Sequence, residues 1–247
     1  MLSFIVPAYN EELELPATVE AIHKAALAAA SPSGSGKDRQ HEIIVVDDGS
    51  TDETAKVAQH AGAKVVSINR RQIAAARNAG ARAALGDILF FVDADTRINE
   101  KHVSGAIAAL EEGYAGGGAR IAIGGKVPLW ALIFTKAFCA IYFGLSLAAG
   151  AFLFTTRKNF EAAGGFDEKL FIGEEVYFSF ALRKLGRFKI LREPVVTSGR
   201  KLRMYSAREI SGNSLSVIFR GPRAARSREG LHIWYDGKRE KTCSDGL

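Results

Sequence analysis

A chain of 247 residues, 47% hydrophobic and 24% charged, has a globular composition with ample core, enough for one large α/β domain or two small ones. The net charge of +6 suits phosphorylated substrates or anionic lipid, but the basic residues gather between Arg183 and Lys241, so a general polyanion binder is excluded and no nucleic-acid partner is expected. Cys139 and Cys243 lack any paired spacing, which excludes a disulfide framework and a cysteine zinc site.

Met1–Pro7 has neither the basic start nor the apolar length of a signal peptide, so a cytoplasmic setting is expected. Leu2–Val6 reads as a buried strand closed by Pro7, and Leu15, Val19, Ile22 and Ala26 then fall at helical spacing over about 12–30. Ser31–Gly36 reads as a surface loop. Glu42–Val46 is a second strand ending in Asp47-Asp48-Gly49-Ser50, and Ser50-x-x-Glu53 reads as a capping box that opens a helix. Lys64–Ile68 is a third strand. Arg70-Arg71-Gln72 leads into an alanine-rich helix, Ile73 to Leu85, which carries Arg77 and Asn78. Arginines beside strand ends suit phosphate contact, and a solvated helix face is the plainer alternative.

Ile88–Val92 is five apolar residues without a break, the pattern of a strand buried on both faces of a parallel sheet. It ends in Asp93 and Asp95, where open α/β sheets bind their ligands. Two carboxylates there suit a hard divalent ion that fills its other sites with phosphate and water, and a plain polar turn is the alternative. Asn99–Glu112 reads as a helix broken by Gly113–Gly118, with a strand over Ala119–Gly125. The alternation predicts a mostly parallel, Rossmann-like sheet flanked by helices.

Ala137–Thr156 runs twenty residues without a charge. A buried or interfacial helix followed by a strand from Gly150 to Thr155 is the reading; a membrane span is the alternative. A short helix over Lys158–Ala163 ends at Gly164-Gly165. Glu174-Glu175 open a helix that Gly186 stops; acids there suit the helix dipole, or one of them serves as a general base. Arg187–Leu191 and Val195–Thr197 read as two short strands, Ser198–Arg203 as a basic loop, and Ser206–Phe219 as weakly helical.

Four segments together resemble the family 2 glycosyltransferases of the GT-A fold: Ser3–Glu12, Val45–Asp52, Phe91–Thr96, and Gly164-Gly-Phe-Asp167 followed by an acidic helix start. The resemblance covers about residues 2–200. It implies a single GT-A domain over 1–204, with a nucleotide-sugar half (1–98) and an acceptor half (99–204), followed by a basic extension over 205–247. It further implies that Pro7, Tyr9 and Glu11 line the base and ribose. Asp48, or less favourably Asp47, would accept a hydrogen bond from the base, and Arg77 would lie near the nucleotide. Asp93 and Ala94 would flank the ribose side, and Asp95, with Asp93, would hold Mg²⁺ or Mn²⁺ against the diphosphate of a UDP- or GDP-sugar. Glu175 stands in the place of the catalytic base, with Glu174 as the alternative, and Gly150 and Ala151 would sit near a glycan, lipid or small-molecule acceptor. The reaction implied is a metal-dependent, inverting transfer to an acceptor hydroxyl, with peripheral membrane contact at the cytoplasmic face as an added expectation.

Two departures stand out. The base position is usually an aspartate preceded by glutamate. Many members also place a late histidine on the metal, whereas no histidine occurs between His102 and His232. The loop bearing Arg200, Lys201 and Arg203 is the candidate to hold the diphosphate instead. The alternatives are a sugar-phosphate nucleotidyltransferase, which needs a glycine-rich loop after the first strand where Pro7–Glu12 has none, and a non-catalytic membrane-associated scaffold.

Overall fold

The computed structural model describes residues 1–30, 40–132, 135, 139, 148–206, 208–210, 225–228 and 231. The expected loop at 31–36, most of the apolar run at 137–147, most of the weak helix at 206–219 and nearly all of the C-terminal extension lie outside those residues.

Four strands, β1 (Leu2–Ala8), β2 (His41–Asp48), β3 (Lys64–Ile68) and β4 (Ile88–Val92), pair in parallel in the order β3-β2-β1-β4. The helices α1 (Leu15–Ala30), α2 (Thr54–His60) and α3 (Ile73–Ala83) connect them. Successive side chains on a strand face opposite sides. Thus Phe90 stacks on Phe4 at 4.6 Å, within the core on one face of the sheet. Its neighbour Phe91 meets Phe166 edge-on at 5.0 Å, in the core on the other. Both faces are covered, which is why β4 is an unbroken apolar run.

The second half departs from a parallel plan. It holds β5 (Thr96–Arg97), α4 (Glu100–Glu111), β6 (Gly116–Gly124), β7 (Phe152–Thr156), α5 (Arg157–Ala162), α6 (Glu174–Leu185), β8 (Phe188–Ser198) and α7 (Arg200–Met204). β7 inserts antiparallel between β4 and β6, and the sheet continues β4-β7-β6-β8-β5. The sheet is therefore mixed: parallel in its first half, and after β4 antiparallel at β4-β7, β7-β6 and β8-β5 but parallel at β6-β8.

Several local expectations change. β6 begins at Gly116, not Ala119, because its glycines are strand residues under close contact: a Cβ on Gly117 would stand 2.1 Å from the Lys189 carbonyl. The two short strands at 187–197 are one strand. Its register slips between Ala119↔Leu191 and Arg120↔Pro194, so a bulge accommodates Pro194. Ser50 does not cap α2, whose N-cap residue is Glu53 with no side-chain bond. The Ser50 hydroxyl instead accepts from the Asn10 N–H at 2.9 Å, and the Asp52 carboxylate takes the Thr54 N–H at 3.0 Å. The basic loop after β8 contains the short helix α7. Among the described residues no helix is long and apolar enough to cross a membrane.

Candidate active site

The carboxyl ends of β1, β2 and β4 and the start of α6 open onto one cleft of about 320 Å³, at the lower end of the range for small-ligand cavities. Pro7, Tyr9, Glu11, Asp48, Arg77, Asp93, Ala94, Asp95, Gly150, Glu174, Glu175 and Arg200 all line it. Three expected residues, Asp47, Ala151 and Arg203, do not. Asp47 turns to its own loop, where it accepts the Ser50 N–H at 3.1 Å. Ala151 is buried, and its part is a backbone one: its carbonyl accepts the Asp93 N–H at 3.2 Å.

Arg77 forms the floor. It projects from α3 and is only 1% exposed, and it donates to Glu174 at 2.6 Å, to Asp93 at 3.0 Å and to the Gly150 carbonyl at 2.9 Å. A Cβ at position 150 would stand 2.7 Å from the guanidinium, so any larger residue there would have to displace Arg77. Burial opposes the arginine's charge most strongly, but Asp93, Glu174 and Glu175 together outweigh it and raise its pKa. Arg77 is thus a buried anchor that fixes two carboxylates beside the cleft, not part of a solvated helix face.

The Asp-Ala-Asp turn is pinned on every side. Thr18 of α1 donates to the Ala94 carbonyl at 2.7 Å, and Arg97 bonds both the Thr18 hydroxyl and Glu14, the latter at 2.8 Å. The Asp95 carbonyl accepts the Ser198 N–H at 3.1 Å, and Thr197 donates to its carboxylate at 3.3 Å. Asp93 is pushed up to about 6, first by the dense protein around it and then by the charges of Asp95 and Glu174, with Arg77 opposing. Its side chain remains 30% exposed to the cleft, so it is crowded rather than sealed off.

Arg200 makes the second hub. It grips Glu11 with both arms of the guanidinium across 189 positions of sequence, and it stands 3.1 Å from Asp95. Burial opposes its charge, but Asp95, Glu11 and Glu14 raise its pKa on balance. At the lip, the Arg71 guanidinium lies 3.3 Å from the centre of the Tyr9 ring. Asp48 accepts the backbone N–H groups of Arg70, Arg71 and Gln72 at 2.7, 2.8 and 2.6 Å. Its carboxylate thereby orders the entry to α3.

The acidic pair at the start of α6 divides its labour. Glu174 is buried and committed to Arg77, whereas Glu175 is half-buried and lines the cleft. The preceding loop is held by Asn78, which donates to the Phe166 carbonyl and accepts the Phe166 N–H, both at 2.9 Å, and by Gln72, which donates to the carbonyls of Glu168 and Leu170. Lys201 of the expected basic loop lines the cleft, whereas sequence reasoning passed over Gln72 and the Phe171–Gly173 segment as cleft residues. The last of these lies between the Gly-Gly-Phe-Asp turn and Glu174, so its position in the chain carried that signal.

The donor set fits a hard divalent cation. The two arginine hubs set two guanidinium groups against four carboxylates, Asp93, Glu174, Glu11 and Asp95, an excess of two negative charges. Among the described residues no group of three or more His, Cys, Asp or Glu is ready to hold a metal. Mg²⁺-type ions ordinarily use one or two carboxylates plus substrate phosphates, and Asp95 with Asp93 meets that pattern.

The family model described as Glycosyl transferase family 2 matches residues 3–191. The 4,4'-diaponeurosporenoate glycosyltransferase of Staphylococcus haemolyticus is 33% identical over 121 residues, 46% of this chain and 28% of that protein. The undecaprenyl-phosphate 4-deoxy-4-formamido-L-arabinose transferase of Proteus mirabilis is 31% identical over 121 residues, 46% of this chain and 34% of that protein. The match thus spans about a third of the length of these relatives. The fold is shared with Staphylococcus aureus TarS 1-349 in complex with UDP, at TM-score 0.58 and 20% identity over 96% of this chain and 70% of that one. It is shared equally with the mannosyltransferase PcManGT from Pyrobaculum calidifontis in complex with GDP-Man and Mn²⁺, at TM-score 0.58 and 19% identity over 96% and 69%.

Proposed function

The chain belongs to glycosyl transferase family 2, and from that premise we propose that it transfers a sugar from a nucleoside-diphosphate donor to an acceptor hydroxyl with inversion at the anomeric carbon. The observation that carries the reading is the meeting of Asp93, Asp95 and Glu175 with Tyr9, Arg71 and Asp48 in one cleft. The Tyr9 ring and the Arg71 plane offer flat faces for a nucleobase, and Pro7 and Glu11 flank the ribose. Asp48 holds that wall in place through the backbone of Arg70–Gln72. Asp95 and Asp93 would hold Mg²⁺ or Mn²⁺, which supplies positive charge to the diphosphate as it leaves.

Glu175 takes the proton of the acceptor hydroxyl while that oxygen forms a bond to the anomeric carbon. The bond from that carbon to the β-phosphate oxygen breaks, and its electron pair leaves with the nucleoside diphosphate. Glu174, neutralised by Arg77, keeps the helix start where Glu175 faces the cleft. UDP and GDP are the proposed leaving groups, in line with the ligands of the two structural relatives. The lipid-phosphate named for the Proteus relative supports a lipid-linked acceptor, and the exposed Leu129 and Leu132 support peripheral membrane contact. The test is release of UDP or GDP from a panel of nucleotide sugars with Mn²⁺ and with EDTA. Release with one donor and Mn²⁺ is expected; no release from any donor would end the proposal.

A further inference from the structure

Arg200 is placed where it has two incompatible duties. Its guanidinium is ion-paired to Asp95 at 3.1 Å, and Asp95 is the aspartate offered above to the divalent cation. The same guanidinium is held from behind by Glu11, which receives both of its arms. A cation taking the Asp95 oxygen that faces Arg200 competes with the arginine for it, while Glu11 keeps the arginine in the cleft wall. The arrangement differs from Arg77, whose carboxylates and carbonyl enclose it and leave it nowhere to turn.

Building on the metal and donor reading above, we infer that Arg200 is an internal counter-cation, parked on Asp95 before the donor arrives and handed to the diphosphate when the metal takes its place. Glu11 is the pivot of that exchange. The nitrogen that faces Asp95 also carries one of the two bonds to Glu11, so the exchange gives up the N–H facing Asp95 and leaves the Glu11 pair in place. Release from Asp95 leaves that N–H for a phosphate oxygen beside Asp95. Lys201, next in sequence, also lines the cleft and adds positive charge there. In this way one arginine serves the apo site by neutralising Asp95 and the loaded site by stabilising the leaving group, the service for which other members use a late histidine on the metal.

The exchange makes two predictions of opposite sign for Arg200→Gln. Without nucleotide, Mn²⁺ binds about tenfold more tightly than to the wild type, because its competitor for Asp95 is gone. With Mn²⁺ saturating, UDP or GDP, whichever the wild type binds, is held about tenfold more weakly. Free Mn²⁺ is read by its electron paramagnetic resonance signal and the nucleotide by calorimetry. An arginine that merely braces the fold would weaken both, and that outcome overturns the inference. Unchanged Mn²⁺ affinity in Arg200→Gln, with Mn²⁺ binding still lost in Asp95→Asn, overturns the inference and leaves the metal reading standing. A wild type that binds no Mn²⁺ even with UDP or GDP present overturns both. If Arg200→Gln does not fold because Glu11 is left buried without its partner, the double variant Glu11→Gln/Arg200→Gln removes the pair together. It is expected to bind Mn²⁺ more tightly than the wild type, and weaker or equal binding contradicts the exchange.

Discussion

The two arginines that organise the cleft are held in different ways. Arg77 sits mid-way along the eleven-residue helix α3, 1% exposed, with Glu174, Asp93 and the Gly150 carbonyl fixed around it and the Phe166 ring 5.2 Å away. Arg200 opens a five-residue helix at the end of β8, and its partners come from the β1–α1 loop and the end of β4. The first comes from the parallel half of the sheet and is locked by Glu174 and Gly150 of the second half together with Asp93 at the end of β4. The second is attached where the mixed half closes over it. Arg77 keeps the buried Glu174 and the Gly150 carbonyl whatever happens at Asp93, so it works as scaffold, while Arg200 has only Glu11 behind it when Asp95 is taken. The same contrast separates Glu174, tied to Arg77, from Glu175 at the next position.

Removing the anchor should have the largest effect on stability. Arg77→Ala leaves Glu174 and Asp93 without their counter-charge and is expected to cost about 3–5 kcal/mol in urea unfolding. A loss below about 1 kcal/mol would mean that Arg77 is not the scaffold it resembles. Glu174→Gln keeps the shape and a hydrogen-bond acceptor but loses the charge, so a smaller loss, about 1–3 kcal/mol, is expected. Glu175→Gln should shift stability by no more than about 0.5 kcal/mol. Its sugar transfer should nevertheless fall by about 10²–10⁴-fold with donor binding retained. If Glu174→Gln abolished transfer at full stability while Glu175→Gln remained active, the division of labour would be reversed.

How much of this could be read from the sequence depends on how local the cause is. β1, β2 and β4 are mainly apolar runs buried on two faces, and each ends where polar residues begin, so both these strands and the ligand end of the sheet were legible. Asp93, Asp95 and Glu175 follow from strand and helix ends. The polarity of the second half was not legible, because β7 joins β4 through pairings such as Phe90↔Phe154 that leave no mark on either segment alone. Pro194 looked like a strand break because the bulge that absorbs it depends on β6. Asp47 and Asp48 are adjacent and chemically alike, and only the fold shows that one orders the Ser50 turn and the other the start of α3. Arg77 reads as a cation beside a strand end, and its role as an anchor emerges only once three distant segments surround it. Likewise, no spacing rule joins Glu11 to Arg200.

The central claim is that this cleft takes a nucleoside diphosphate through a cation on Asp95. Calorimetric titration of UDP and of GDP into the wild type and Asp95→Asn, each with Mn²⁺ and with EDTA, tests it most directly. The account predicts binding of at least one nucleotide to the wild type in Mn²⁺, lost both in EDTA and in Asp95→Asn. Equal binding by the two proteins, or none by the wild type in Mn²⁺, would contradict it.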